Sequence, residues 1–156
     1  MENQFSEQPV VQEPAQQPPV NNAPVGQLKT NRGLIKLILL SIITLGIYGI
    51  VAYSSISNDI NVIASRYDGK KTMHYCLLIF IVTPITLGIG AIVWMHKLSA
   101  RIGNELKRRN IDYSFSAASF WLWNVLGIFI IVGPFVYIHK LLKAMNLLSA
   151  NYNVNG

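Results

Sequence analysis

The sequence predicts an all-α integral membrane protein with three transmembrane helices, and three observations carry that expectation. Hydrophobic residues make up 51% of the 156 residues and charged residues only 13%, roughly half the charged fraction of ordinary soluble chains. The charges leave three long gaps, residues 37–58, 72–96 and 113–139. Each gap exceeds the roughly 20 apolar residues a helix needs to cross a bilayer. Finally, the gaps belong to a block of about 42 residues written three times, and a period in that range signals repeat architecture.

Residues 1–30 precede the repeats. They hold five of the seven prolines and six glutamines, without apolar periodicity. Such a stretch buries too little surface to offset its chain entropy, so the expectation is a disordered Pro/Gln-rich tail. It serves either as a solvated tether or as a lure for a partner. It has neither the basic start nor the apolar centre of a signal peptide.

Residues 31–150 form the three-repeat membrane domain, followed by a short polar C-terminus at 151–156. Ile43-Thr44-Leu45-Gly46-Ile47 recurs as Ile85-Thr86-Leu87-Gly88-Ile89. Trp94-Met95-His96-Lys97-Leu98 returns as Tyr137-Ile138-His139-Lys140-Leu141, and each copy ends near an asparagine: Asn61, Asn104, Asn146. The spacing predicts spans at about 34–57, 73–96 and 117–139. The linkers read as amphipathic helices lying along headgroups, since Leu98, Ile102 and Leu106 recur every four residues and leave the charges to another face.

Gly46, Gly49, Gly88, Gly90, Gly127 and Gly133 with Pro134 sit inside the apolar runs, where they permit kinks and close approach. A broken helix lining a transport site is the functional alternative. Tyr53, Trp94, Trp121, Trp123 and Tyr137 fall near run ends, as an interfacial aromatic belt would, with His96, Lys97, His139 and Lys140 beside them. Arg101, Lys107, Arg108 and Arg109 are the candidate contacts for lipid or a partner. With alternating spans, eight Lys and Arg fall on the side of the N-terminus and five on the other, which places the N-terminus in the cytoplasm. A second arrangement stays open, because all four flanking segments are basic: each run is a re-entrant hairpin broken at its glycines. Half a run is about 15 Å of helix and reaches only mid-bilayer, and its turn exposes backbone polar groups to lipid.

Chemistry is sparse. None of the seven acids lies inside an apolar run, where a proton relay would put one. Cys76 is the single cysteine, so neither an intrachain disulfide nor a Cys-based zinc site follows. No catalytic or phosphate-binding motif occurs. Neither an enzymatic activity nor a cofactor or metal is expected, and the net charge of +6 points to anionic headgroups rather than nucleic acid.

The string Leu39-Leu40-Ser41-Ile42-Ile43-Thr44-Leu45-Gly46-Ile47-Tyr48-Gly49-Ile50, then Tyr53, then Asn58-Asp59-Ile60-Asn61, resembles the bacterial membrane proteins grouped as domain of unknown function 4234. The resemblance extends over about 31–150. It implies a bacterial plasma-membrane protein and supplies no activity. The expected role is a non-catalytic scaffold or accessory subunit of an envelope complex, with the bilayer and a membrane-protein partner or a second copy as partners. The alternative is a small oligomeric channel or transporter component.

Overall fold

The computed structural model describes residues 23–156, which are helical with no strand among them; most of the Pro/Gln-rich tail lies outside the described residues. The elements are α1 (Leu34–Ile43), α2 (Ile47–Asp68), α3 (Tyr75–Leu77), α4 (Thr83–Ile85), α5 (Ile89–Arg108), α6 (Ala117–Ser119) and α7 (Gly133–Asn155). A π-helical stretch, Leu78–Val82, joins α3 to α4, and Phe120–Val125 followed by a 3-10 stretch, Leu126–Ile130, leads from α6 towards α7. Each repeat is therefore a short arm, a turn and a long helix.

The turns explain why the apolar runs do not span. At Thr44-Leu45-Gly46 the chain leaves the helix, with φ of 51° at Leu45 and 93° at Gly46, and doubles back so that Gly49 faces the Ser41 hydroxyl. Thr86-Leu87-Gly88 repeats the geometry with φ of 49° and 91°, and Gly90 comes to face Val82. Positive φ is nearly free for glycine and uncommon for leucine, so the Gly of each string fixes the reversal. The third reversal uses Ile131, at φ 61°, and a close backbone approach of Gly127 to Gly133.

Three transmembrane helices at 34–57, 73–96 and 117–139 are thus corrected. No helix among the described residues is long and apolar enough to cross a membrane. Each run counts as 20 or more apolar residues only if the chain keeps one direction, and it reverses midway. The backbone folds back as a hairpin within each run, and the eight-against-five charge comparison, which presumes alternating sides, loses its basis.

The long helices α2, α5 and α7 run side by side in the same direction. Ser99 of α5 meets Tyr137 of α7 and, further along both, Arg109 meets Asn151. Between α2 and α5, the Tyr53–Tyr75–Trp94 ring row lies near one end and Arg101 meets Asn61 and Asp68 further on. Their middle and later turns make the core: Ile56, Ile60 and Ile63 of α2, Leu98, Ile102 and Leu106 of α5, Leu141, Met145 and Leu148 of α7, all buried. Fully burying one such side chain is worth about 1.5–3 kcal/mol. The expected headgroup-lying linker over 97–112 is corrected too. Leu98, Ile102 and Leu106 face neighbouring helices instead of a lipid surface, because α5 runs straight on into the bundle.

Residues 23–30 are held against α7 by bonds from the Val25 N–H to the Tyr152 hydroxyl and between Leu28 and Asn153. The segment 151–156 belongs to α7 nearly to its end.

Candidate functional site

Parallel long helices put the three reversals at one end of the molecule and the charged residues at the other. The reversal end is apolar and bare: Leu45 is 94% exposed, Leu87 92% and Phe129 86%, with Ile43, Ile47, Ile85, Ile89, Ile130 and Ile131 exposed around them. Scattered exposed hydrophobics need no explanation, but a contiguous set marks an interaction surface.

The backbone N–H groups of the first two reversals are bonded within the protein. Thr44 Oγ1 donates to the Leu40 carbonyl (2.6 Å) and accepts the Tyr48 N–H (2.9 Å). The N–H groups of Thr44, Leu45, Gly46 and Ile47 all find backbone carbonyls. At the second reversal Thr86 Oγ1 donates to the Val82 carbonyl (2.7 Å) and accepts the Gly90 N–H (2.9 Å), and the N–H groups of residues 86–89 are likewise bonded. A threonine hydroxyl thus bridges a carbonyl in the last turn of one arm to an orphan N–H of the next helix.

At the opposite end polar side chains knit the chain together. Arg101 is buried and fully used: it donates to both carboxylate oxygens of Asp68 (2.7 and 3.0 Å), to Asn61 Oδ1 (2.5 Å), Thr72 Oγ1 (2.8 Å), Ser65 Oγ (3.0 Å) and the Lys70 carbonyl (2.6 Å). Burial pushes the Asp68 carboxyl up, but the Arg101 bonds and the Lys70 N–H outweigh it and hold the group below its ordinary value. Arg32 pairs with Asp59. There burial wins, raising Asp59 and lowering Arg32 against their mutual attraction. Glu105 is shared by Arg108 (2.5 Å) and Arg109 (2.7 Å), and Arg108 also lies 3.5 Å over the Tyr67 ring.

Between the two ends runs a groove of about 980 Å³ along α5. Lys70, Lys71 and Lys97 stand at its polar end, while Leu78, Val82, Ile89 and Val93 line its apolar end. All three lysines are exposed and enter no ion pair among the described residues.

The residues singled out from sequence scatter over these features. Gly46 and Gly88 make the reversals, Gly49 and Gly90 face the partner arm, and Gly133, with Pro134 in the first turn of α7, packs on Gly127. Of the expected belt, Tyr53 stacks on Tyr75 (4.9 Å) and Trp94 is buried, its indole N–H donating to the Met73 carbonyl (2.9 Å). Tyr137 is buried outright, its hydroxyl 2.8 Å from Ser99 Oγ, and burial pushes it up to about 12. Trp121 is exposed and donates to His96 Nδ1 (3.0 Å). Trp123 packs partly buried against the core. His139 and Lys107 are exposed, and Lys140 lies over the Tyr113 ring at 5.8 Å. Arg101, Arg108 and Arg109, candidate contacts from sequence, are bonded within the protein. Lys97, Arg101 and Arg108 line the groove, Lys97 without an ion pair among the described residues. Sequence reasoning passed over Thr44, Thr86, Lys70 and Lys71. The duplicated Thr-Leu-Gly string was the available signal for the threonines.

Residues 32–104 match the family described as a domain of unknown function (DUF4234). The resemblance read from Leu39–Ile50 is thereby borne out. The DUF4234 match takes in both hairpins with the Thr-Leu-Gly reversal and stops before the third, which reverses by another device, so it is shorter than the expected 31–150. No curated protein and no solved structure matches the chain significantly.

Proposed function

We propose that the protein rests in one leaflet of a membrane, with its three hairpin tips in hydrocarbon and its charged end in water, as a non-catalytic scaffold or accessory subunit. The observation carrying this reading is the tip itself: exposed apolar side chains around a backbone whose N–H groups at 44–48 and 86–90 are all bonded within the protein. Water would satisfy those groups at no cost, whereas in hydrocarbon each unpaired one costs several kcal/mol. The reach agrees. Ile89 to His96 is uncharged, and eight helical residues extend about 12 Å, within one leaflet of a core about 30 Å thick. An anchoring role suits the charged end, where the arginines are spent on holding segments together. The resemblance adds a bacterial plasma membrane as the compartment.

Vesicle flotation tests the reading. The full-length protein floats with phosphatidylcholine–phosphatidylglycerol vesicles, and the triple variant Leu45→Asp, Leu87→Asp, Ile130→Asp stays at the bottom of the gradient with its helical circular dichroism unchanged. Undiminished flotation of the variant overturns leaflet insertion. A pull-down with membrane extract, lost on mutating the charged end while flotation persists, tests the scaffold role.

A further inference from the structure

We infer that the groove along α5 is a binding site for one phosphate-bearing lipid, its headgroup on Lys70, Lys71 and Lys97 and an acyl chain along Leu78, Val82, Ile89 and Val93. The inference rests on the leaflet reading and deepens it, naming which lipid the protein selects. Three features of the groove argue for it.

The groove changes character along its length. It opens among lysines at the charged end and descends along apolar walls towards the second hairpin tip, where Ile89 and Val93 are exposed. Only an amphiphile satisfies both ends: a free anion leaves the apolar wall bare, and a neutral lipid leaves three ammonium groups unanswered. The volume, about 980 Å³, is at the upper end of the usual range for small-molecule sites, roughly 300–1,000 Å³.

The cations are also sorted by task. Arg101 has all its donors engaged, so it is not available to a ligand, and Arg108, which also lines the groove, is held by Glu105. Lys70, Lys71 and Lys97 enter no ion pair among the described residues, although Lys70 lies near enough to Asp68 to help lower its carboxyl. Arg101 grips the Lys70 carbonyl (2.6 Å) and Thr72 Oγ1 (2.8 Å), which fixes the backbone that carries two of the lysines. The charge is pre-placed, the condition under which it gives selectivity and not mere attraction. Trp94 lies at the junction with its N–H already bonded to Met73, so it offers a ring face and a reporter.

The experiment uses the full-length protein with Trp121→Phe and Trp123→Phe, which leaves Trp94 as the one indole, in phosphatidylcholine vesicles. A small fraction of phosphatidylglycerol with brominated acyl chains quenches Trp94, compared with the same fraction of brominated phosphatidylcholine. At about 1 kcal/mol per lysine, the anionic lipid is preferred at least roughly tenfold. Lys70→Gln, Lys71→Gln and Lys97→Gln together abolish the preference, whereas Lys107→Gln with Lys143→Gln leaves it. Equal quenching by both lipids, or equal loss in both sets of variants, overturns the site. Release by excess inorganic phosphate assigns the lysines to a free anion and also overturns it. Flotation of the same samples separates the two readings: protein that floats without preference loses the groove alone, and protein that does not float loses both.

Discussion

The side-chain amide of Asn146 holds both the N–H (3.0 Å) and the carbonyl (2.8 Å) of Arg32, 114 residues earlier in the chain. Asn61 does the same to Thr72, at 2.7 and 2.8 Å. Each asparagine grips the strand of chain entering a hairpin, and the third repeat closes onto the first. Asn104, the member between them in sequence, is exposed and makes neither bond. Asn146→Ala therefore lowers stability by about 2 kcal/mol through the two lost bonds, and hydrogen exchange shows residues 28–32 opening while the α5 core stays protected. Asn104→Ala stays within about 0.5 kcal/mol of the parent. Equal effects at the two positions would count against the clamp.

The Arg101–Asp68 pair sets an acid limit. Because the folded protein holds Asp68 below its ordinary value of 3.8, the unfolded chain takes up this proton first as pH falls. Its contribution is present above about pH 4 and is lost as pH drops through the folded value. Thermal midpoints in a neutral detergent should fall less steeply below pH 4 for Asp68→Asn than for the parent, from a lower starting point. Identical slopes would remove Asp68 from the account.

The reversal threonines are separable from the rest of the tip. Thr44→Val with Thr86→Val keeps shape and deletes two hydroxyl bridges, leaving the Tyr48 and Gly90 N–H groups without partners. The expected loss is about 1–3 kcal/mol per reversal, read as a lowered midpoint and a smaller floating fraction. Thr→Ser at both positions restores each. Failure of serine to rescue would show that the methyl group, rather than the hydroxyl, matters.

The third reversal has its own weak point. A Cβ on Gly127 would lie 2.8 Å from the Gly133 Cα, and backbone there has nowhere to move, so Gly127→Ala costs about 1–3 kcal/mol by overpacking. Gly26→Ala, with open space around it, is neutral in the same melt.

Repeats, helix and core were legible because they are written as periodicity: Leu98, Ile102 and Leu106 recur at helical spacing and are buried together. Direction was not legible. A run such as residues 37–58 looks alike whether straight or folded back, since apolar composition is blind to the φ of Leu45 and Gly46. The belt was misplaced for a related reason. Tyr137 and Trp94 stand near run ends in sequence, but once each run folds on itself those positions fall inside the bundle. The groove lysines were passed over because Lys70 and Lys71 precede the second hairpin and Lys97 lies 26 residues after Lys71 on its long helix, so only the packing of α5 beside residues 70–73 unites them.

The common direction of α2, α5 and α7 has an electrical consequence. Each helix carries roughly half a negative charge at its C-terminal end, and three aligned dipoles gather their negative poles around Asp68, Arg108 and the end of α7. Antiparallel bundles cancel this field, whereas here it accumulates. Arg66, Lys107 and Arg108 in the last turns of α2 and α5 answer it, so the basic rim stabilises the bundle itself. Neutralising those residues would loosen the helices' alignment.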